Sequence, residues 1–186
     1  VIASISGLRP DRPVILVGHS MGCLVAVRIA RLRPDLVRHL VLYEMPLYEG
    51  LPEKRSYRAR LAIYNRLYAR LLRFEPTFEP EKARLVERLA RRITGFEVER
   101  ATWQPFLKSL ENTILKQTAA EDIKHIAAPM DVIYGSFDML VIRGEPKRIF
   151  GEGSTNITAH TIRARHMIST KASRFIVSRI KAALDG

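Results

Sequence analysis

The sequence predicts an α/β fold: a mostly parallel sheet flanked by helices. Three observations predict it. The short apolar run Val14–Val17 is followed by a helical pattern over Met21–Leu32 and then by a second apolar run, Leu40–Tyr43. A strand, a helix and a strand at this spacing are typical of a right-handed βαβ unit with a parallel sheet. The same alternation resumes near residue 128, after a long helical stretch.

The first strand, Val14–Val17, is apolar at every position. Such a run is typical of a strand buried on both faces, and we expect that burial here. The residues before it, 1–10, are weakly patterned and lead into a breaker cluster that ends at Pro13. The helix that follows the strand stops at the sequence Arg-Pro-Asp over residues 33–35.

Residues 48–117 contain no strand pattern, and their apolar side chains recur at helical spacing. We interpret this stretch as an all-helical insertion of about three helices, the last of which covers Trp103–Lys116. Strands are then predicted at Met130–Tyr134 and Ile157–Ile162. A short helix near residues 146–150 lies between them, and a terminal amphipathic helix is predicted over Lys171–Leu184.

The stretch Gly18-His19-Ser20-Met21-Gly22 is a G-x-S-x-G motif between a buried strand and a helix, which is the setting that gives this motif meaning. The sharp turn places the Ser20 hydroxyl above the carboxyl end of the strand. We expect both flanking glycines to be needed because side chains there would collide with neighbouring elements. The N–H of Met21 begins a helix, where it can stabilise a developing oxyanion.

A serine hydroxyl needs a base and an orienting carboxylate to become a nucleophile. Asp138 and His166 each lie four residues beyond the last predicted residue of a strand, where ligand sites form in parallel sheets. The order Ser20, Asp138, His166 is the chain order expected of such a triad. Glu44 also follows a strand and stays open as an alternative acid.

On these residues, Val14 to Gly22, Gly135 to Asp138 and Arg165-His166, the sequence resembles the α/β-hydrolase superfamily over most of its length. The resemblance implies that the four predicted strands are strands five to eight of that fold. It implies a core formed by 1–47 and 118–186, with 48–117 as a helical cap. It also implies Ser20 as nucleophile, His166 as general base and then acid, and Asp138 as the orienting carboxylate.

Two features depart from that family pattern. Arg165 precedes the candidate base, where the family often has glycine. The four strands that the family places before the nucleophile strand, with the loop that supplies a second oxyanion donor, have no counterpart here. We therefore expect this chain to be an amino-terminally truncated part of a longer hydrolase, with its first strand at an exposed, apolar sheet edge.

The other histidines are weaker candidates for the base. His19 adjoins the nucleophile and, with Met45, is assigned to the substrate pocket. His39 and His125 are expected before strands, at the opposite end of the sheet, and His160 lies inside a strand. Cys23 is interpreted as a small buried side chain. No spacing of His, Cys and carboxylate residues resembles a zinc site, so neither a metal nor another cofactor is expected.

The predicted function is cleavage of a small or medium ester through an acyl-enzyme, with thioester and C–C bond hydrolysis open because they use the same triad. The alternative is a catalytically impaired chain that binds a ligand or a protein. The formal net charge of +12 suggests nucleic acid. However, the arginines of the insertion alternate with glutamates at helical spacing, which is typical of a solvated helix face.

The expected partner is therefore a small ester-like molecule and not a nucleic acid. The apolar runs are too short for stable membrane insertion. The single Cys23 cannot form an internal disulfide, and the first residues do not have the pattern of a signal peptide. These features predict a cytoplasmic protein, and the sequence does not predict its oligomeric state.

Overall fold

The computed structural model describes residues 1–8, 12–47, 100–138, 141 and 155–185, together with several positions between 59 and 70. The regular elements in these ranges follow one another as helices, strands and two short helices of other types. In chain order they are α1 (Ile2–Leu8), β1 (Val14–His19), α2 (Met21–Leu32), a 3₁₀-helix (Pro34–Leu36), β2 (Val37–Tyr43), α3 (Arg100–Ser109), a π-helix (Leu110–Leu115), α4 (Ala119–Lys124), β3 (Met130–Gly135), β4 (Ile157–Ile162) and α5 (Thr170–Asp185).

The described strands form one sheet of order β1-β2-β3-β4, and all neighbours are parallel. The register pairs Tyr43, the last residue of β2, with His19 on one side and Ile133 on the other. The carboxyl ends of the four strands therefore meet at one edge. The predicted α/β class with a parallel sheet flanked by helices is confirmed.

The centre of the sheet forms the core. Val41 and Tyr43 of β2 pack with Ala172 and Ile176 of α5. Side chains alternate between the two faces of a strand, so Leu40 and Leu42 point to the opposite face from Val41 and Tyr43. Both leucines are also fully buried. Burial on both faces explains why β2 is apolar from Leu40 to Tyr43.

β1 differs from the prediction. It lies at an edge of the described sheet and pairs only with β2, and Val17 is 50% exposed. Burial on both faces needs elements packed against both faces, but in the described structure Val14–Leu16 are only half-buried and Val17 is exposed. The expectation that β1 is buried on both faces is therefore wrong here, whereas its expected position at an exposed edge matches the structure.

The helices agree with the sequence where their apolar pattern is strong. α2 has the predicted bounds, and α5 extends the predicted range by one residue at each end. The predicted helix Trp103–Lys116 is instead the α-helix α3 followed by a π-helix. Ile2–Leu8 is helical although its sequence is weakly patterned.

The short helix α4 was not predicted from the sequence. Its buried Asp122 accepts hydrogen bonds from Arg28 of α2 at 2.9 Å and from the Thr118 hydroxyl at 2.8 Å. These contacts with α2 and with its own first turn stabilise a six-residue helix that is too short to be stable by itself.

The chain divides into two compact units, residues 1–52 with 117–186 and residues 53–116. Most of the predicted cap, 48–117, and the predicted short helix near 146–150 lie outside the described residues, so the assignment of a cap stays a prediction. Within the described part of the chain, no helix is both long enough and apolar enough to cross a membrane.

Candidate active site

Ser20 sits at the turn between β1 and α2 in a backbone conformation that few residues adopt. Its φ is 52° and its ψ is −126°. A positive φ is costly for a residue with a side chain and persists only where surrounding contacts hold it. Here the Ser20 N–H donates to the Tyr43 carbonyl at 2.9 Å, and the Ser20 carbonyl accepts from the Cys23 N–H at 2.9 Å. The turn is therefore held from both β2 and α2.

The two glycines of the motif have different roles. A Cβ at Gly18 would lie 2.7 Å from the Cys23 backbone, so only glycine allows β1 and α2 to approach this closely. A Cβ at Gly22 would meet nothing within 4 Å. The expectation that both glycines avoid a collision is therefore confirmed at Gly18 and wrong at Gly22, where α2 leaves open space.

The structure brings Ser20, His166 and Asp138 together although they lie far apart in the sequence. His166 Nε2 lies 2.9 Å from Ser20 Oγ, and His166 Nδ1 lies 2.7 Å from Asp138 Oδ2. An ionised carboxylate only accepts hydrogen bonds, so Nδ1 carries the proton and Nε2 is left to accept from the serine hydroxyl. Both His166 and Asp138 are buried.

Asp138 is held by the tight turn that follows β3. Its N–H donates to the Gly135 carbonyl at 3.2 Å, and the Phe137 N–H donates to the Ala164 carbonyl at 3.0 Å. A Cβ at Gly135 would lie 2.5 Å from the Ala164 carbonyl oxygen. Glycine at this position therefore lets the turn that carries Asp138 lie directly against the segment that carries His166.

Glu44, the alternative acid, has a different contact. It is fully buried, has a φ of 53°, and its Oε1 accepts from the Gly135 N–H at 2.5 Å. Its N–H donates to the Ile133 carbonyl at 2.9 Å. The carboxylate that lies on His166 is that of Asp138, and Glu44 holds the first residue of the turn that leads to it.

The remaining predicted site residues lie at the same edge of the sheet. Met21 is the first residue of α2, so its N–H is among those that the helix itself leaves without a partner. His19 Nε2 lies 2.8 Å from the His166 carbonyl oxygen, and the His19 ring stacks on Tyr43. Met45 follows β2 and is fully buried. The predicted contact of His19 and Met45 with substrate stays a prediction.

The environment of His19 favours the neutral form of its ring. Burial lowers the pKa of His19 below its ordinary value of 6.5, and the nearby His166 acts in the same direction, against the opposing effect of the hydrogen bond to the His166 backbone. A carbonyl oxygen only accepts, so the neutral ring carries its proton on Nε2 and donates it to the His166 carbonyl.

Cys23 is buried, and its Sγ donates to the Tyr43 carbonyl at 3.2 Å. Burial raises the pKa of the Cys23 thiol far above its ordinary value, and the Glu44 charge adds to this shift. A thiol that stays protonated is a poor nucleophile, which agrees with its interpretation as a buried packing residue.

The other three histidines lie away from Ser20. His160 and His39 both bind Asp131, the second residue of β3, through Nε2 at 2.6 and 2.9 Å, and Arg179 Nε lies 3.0 Å from the same carboxylate. His39 lies within β2 and not before it as expected. His125 is exposed and pairs with Glu121 at 3.1 Å.

The buried Asp131 carboxylate contacts three side chains that can donate hydrogen bonds. Burial acts to raise its pKa, but the hydrogen bonds from His160 and His39 and the charge of Arg179 outweigh burial and hold the pKa below its ordinary value. Within the described ranges, no three His, Cys, Asp or Glu side chains are arranged to hold a metal ion.

Sequence reasoning missed two contacts of the site. Tyr43 donates its hydroxyl to the Arg165 carbonyl at 2.6 Å, and His19 binds the His166 carbonyl. These pairs are separated by 122 and 147 residues, and each involves a backbone carbonyl. No sequence pattern reports such a contact, although Tyr43 was visible as the last residue of a buried strand.

The chain matches a family model described as "Alpha/beta hydrolase family" over residues 1–175. It is also 28% identical over 191 residues to a Haemophilus influenzae protein named "Putative esterase/lipase". That match covers 100% of this chain and 64% of the relative, so the chain spans less than two thirds of the relative's length.

Solved structures share the fold. MGS-M2, an alpha/beta hydrolase enzyme from a deep-sea metagenome library, superposes with a TM-score of 0.62 at 13% identity, covering 100% of this chain and 70% of that one. A monoacylglycerol lipase from Paleococcus ferrophilus gives 0.53 at 17% identity, covering 98% and 72%. A thioesterase domain from the curacin biosynthetic pathway gives 0.51 at 20% identity, covering 98% and 71%.

Proposed function

The chain belongs to the alpha/beta hydrolase family, and on that premise we propose that it is a serine hydrolase that cleaves a small or medium ester through an acyl-enzyme. One observation carries the proposal: the hydrogen-bonded series from Ser20 Oγ through the His166 ring to the buried Asp138 carboxylate, at 2.9 and 2.7 Å. A serine beside a neutral imidazole that is oriented by a carboxylate is the arrangement that acyl transfer requires.

In the proposed reaction, Ser20 Oγ attacks the ester carbonyl carbon while its proton passes to His166 Nε2. The carbonyl oxygen becomes an oxyanion, and the Met21 N–H at the start of α2 donates to it. The tetrahedral intermediate then collapses. The C–O bond to the alcohol breaks, and the alcohol leaves with the proton from His166.

The second half of the reaction returns the enzyme to its starting state. His166 Nε2 takes a proton from water, and the resulting hydroxide oxygen attacks the acyl-enzyme carbonyl. Collapse of this second intermediate breaks the bond to Ser20 Oγ, which recovers its proton from His166, and the carboxylic acid is released. Asp138 stabilises the imidazolium in both halves without itself accepting the proton.

The strained backbone of Ser20 supports the role of nucleophile. A φ of 52° points the side chain away from the path of the chain and leaves the hydroxyl within reach of His166. A strained backbone conformation lowers the stability of the protein and persists only where surrounding contacts hold it. Residues in such conformations cluster at functional sites. Here those contacts come from Tyr43 and Cys23.

The relatives support an ester more than any other acyl compound. The Haemophilus influenzae relative is named an esterase/lipase, whereas the similar structures include a lipase and a thioesterase. A shared fold does not set the substrate, so thioester hydrolysis belongs to the same proposal as a second outcome. We also propose a cytoplasmic location and a small molecule as the partner, with no role in binding nucleic acid.

The direct test is labelling of the 186-residue chain with a fluorophosphonate probe, followed by turnover of p-nitrophenyl acetate and butyrate. We expect labelling and turnover in the wild type and neither in Ser20→Ala. The matched control is Ser178→Ala, because Ser178 is an exposed serine of α5 whose hydroxyl donates to the Phe175 carbonyl of the same helix. Labelling that survives Ser20→Ala would contradict the proposal, and a folded wild type without labelling would favour a ligand-binding role instead.

A further inference from the structure

The segment that carries His166 has no regular structure of its own. It runs between the end of β4 and the start of α5, over residues 163–169. A segment without a ladder or a helix does not hold a side chain in place by itself, so the position of the His166 ring depends on contacts with other parts of the chain.

Three consecutive carbonyls of this segment accept hydrogen bonds from three different parts of the site. The donors come from the end of β1, the end of β2 and the turn after β3, so they span three of the four described strands. The pairs are Ala164 O with Phe137 N at 3.0 Å, Arg165 O with Tyr43 Oη at 2.6 Å, and His166 O with His19 Nε2 at 2.8 Å.

The two side-chain donors form one unit. The His19 ring stacks on the Tyr43 ring with centroids 5.5 Å apart, and it lies 5.3 Å from the ring of His166. Burial favours the neutral form of His19, and a neutral ring that donates to this carbonyl carries its proton on Nε2. The pair therefore presents two fixed donors to two adjacent carbonyls.

We propose that His19 and Tyr43 are positioning residues, which hold the His166 backbone so that Nε2 stays within hydrogen-bond distance of Ser20 Oγ. This inference rests on the proposed function, because it assigns the two residues to the same reaction. They touch the backbone of the base and not the reacting atoms, so they act through His166.

The contact explains how arginine is tolerated before the base. Arg165 is bound through its carbonyl, and as a residue it is exposed. The constraint acts on the backbone and leaves the Arg165 side chain in solvent. The position of His166 therefore depends on Tyr43 and His19, and the identity of the side chain at position 165 matters little to it.

Loss of either donor should lower kcat more than it changes KM. A displacement of about 1 Å between reacting groups can cost about 100-fold in rate, and loss of one of three bonds should allow part of that displacement. We expect Tyr43→Phe to lower kcat by about 10-fold at nearly constant KM, since its hydroxyl binds the Arg165 carbonyl and is not assigned to the substrate pocket. We expect His19→Leu to lower kcat by about 10-fold as well, and any change in its KM reports the contact with substrate that is predicted for His19.

Matched variants separate positioning from folding. Tyr134→Phe is the control for Tyr43→Phe: both tyrosines are buried in the sheet, but in the described structure the Tyr134 hydroxyl has no hydrogen-bond partner. His19→Gln is the conservative variant for His19→Leu, because its side-chain amide can still donate near the position of Nε2. We expect Tyr134→Phe to keep wild-type turnover and His19→Gln to recover most of what His19→Leu loses.

The experiment first establishes that the wild type labels and that Ser20→Ala does not, so failure of the proposed function is seen separately. Steady-state kinetics of each folded variant are then expressed per active site, with the sites counted by fluorophosphonate titration. A lower kcat per site in Tyr43→Phe but not in Tyr134→Phe, with recovery in His19→Gln, supports the inference. Wild-type kcat per site in both Tyr43→Phe and His19→Leu, whatever their melting temperatures, overturns it.

Discussion

Two buried aspartates bind histidines at opposite ends of the sheet, and in the described residues only one of these histidines also contacts a serine hydroxyl. At the carboxyl end, Asp138 binds His166, whose other ring nitrogen lies on the Ser20 hydroxyl. At the amino end, Asp131 binds two histidines and an arginine that belong to three different elements. The pairs are chemically alike, but their surroundings assign them different roles.

The difference lies in what the histidine does with its second nitrogen. His166 uses Nδ1 for the carboxylate and Nε2 for a hydroxyl, so Nε2 can exchange a proton with that hydroxyl while Nδ1 keeps its own proton towards Asp138. His39 and His160 both turn Nε2 to Asp131, which thereby joins β2, β4 and α5. An Asp–His contact is therefore not by itself a sign of catalysis. The group that the other ring nitrogen of the histidine contacts distinguishes a candidate active site from a structural contact.

Exchanging the carboxylates for amides should separate the two sites most sharply. We expect Asp138→Asn to lower kcat/KM by about 10⁴, because the amide favours the wrong tautomer of His166, while the melting temperature changes little. Kinetics with a p-nitrophenyl ester and thermal unfolding of the same sample measure both quantities.

Glu44→Gln is the control for that variant. Its amide oxygen can still accept from the Gly135 N–H, so kcat/KM should stay within about 10-fold of the wild type. If Glu44 and not Asp138 orients His166, the two variants will exchange their effects, and the assignment of the acid will be wrong.

Removal of the carboxylate at the other end should affect stability and not turnover. We expect Asp131→Ala to lower the free energy of unfolding by about 2 kcal/mol, since it removes a charged acceptor and leaves its partly buried donors without it. The value of kcat per titrated site should equal that of the wild type. Urea unfolding and active-site titration test this, and a kcat loss per site above 10-fold would show that the amino-end cluster acts on the reaction.

The two ends should also differ in their response to acid. The pKa of Asp131 lies below its ordinary value of 3.8, so the unfolded chain binds this proton more readily than the folded one. The stabilisation is therefore complete above the ordinary pKa and is lost as the pH falls through the lower, folded value. Between about pH 5 and about pH 3, the unfolding free energy should fall more steeply in the wild type than in Asp131→Asn. Parallel pH profiles would contradict this.

The smallest expected effect concerns His19. Its pKa in the folded protein lies below 6.5, so the unfolded chain takes up this proton first as the pH falls. Stability should decrease as the pH is lowered from 6.5 towards the folded pKa. His19→Gln has no group that titrates in this interval, so its unfolding free energy should depend less on pH there. Urea unfolding at several pH values compares the two proteins.

Local sequence signals predicted much of the fold. α2, which has Cys23, Val27 and Ala30 buried on one side, begins and ends where its pattern predicts. β2 and β3 were identified from the apolar runs Leu40–Tyr43 and Val132–Tyr134, which are typical of strands in the middle of a parallel sheet. α4 was missed because a six-residue helix has too little pattern and is held by the contact between Asp122 and Arg28. The exposure of Val17 was not predicted, because an apolar run does not show how much of a strand other elements of the fold cover.

The sequence by itself determined the local features: the strand, the tight turn and the helix around Ser20, and the order in which serine, acid and histidine follow one another. These depend on residues close together in the chain, so their spacing carries the information. Only the tertiary structure decided which carboxylate lies on His166. Asp138 and Glu44 both follow strands, and the alignment of β2 with β3 and the turn at Gly135 bring one to the imidazole and the other to a backbone N–H. The contacts of His19 and Tyr43 with the His166 segment arise in the same way, because a hydrogen bond to a distant carbonyl depends on the packing of the strands and leaves no pattern in the sequence.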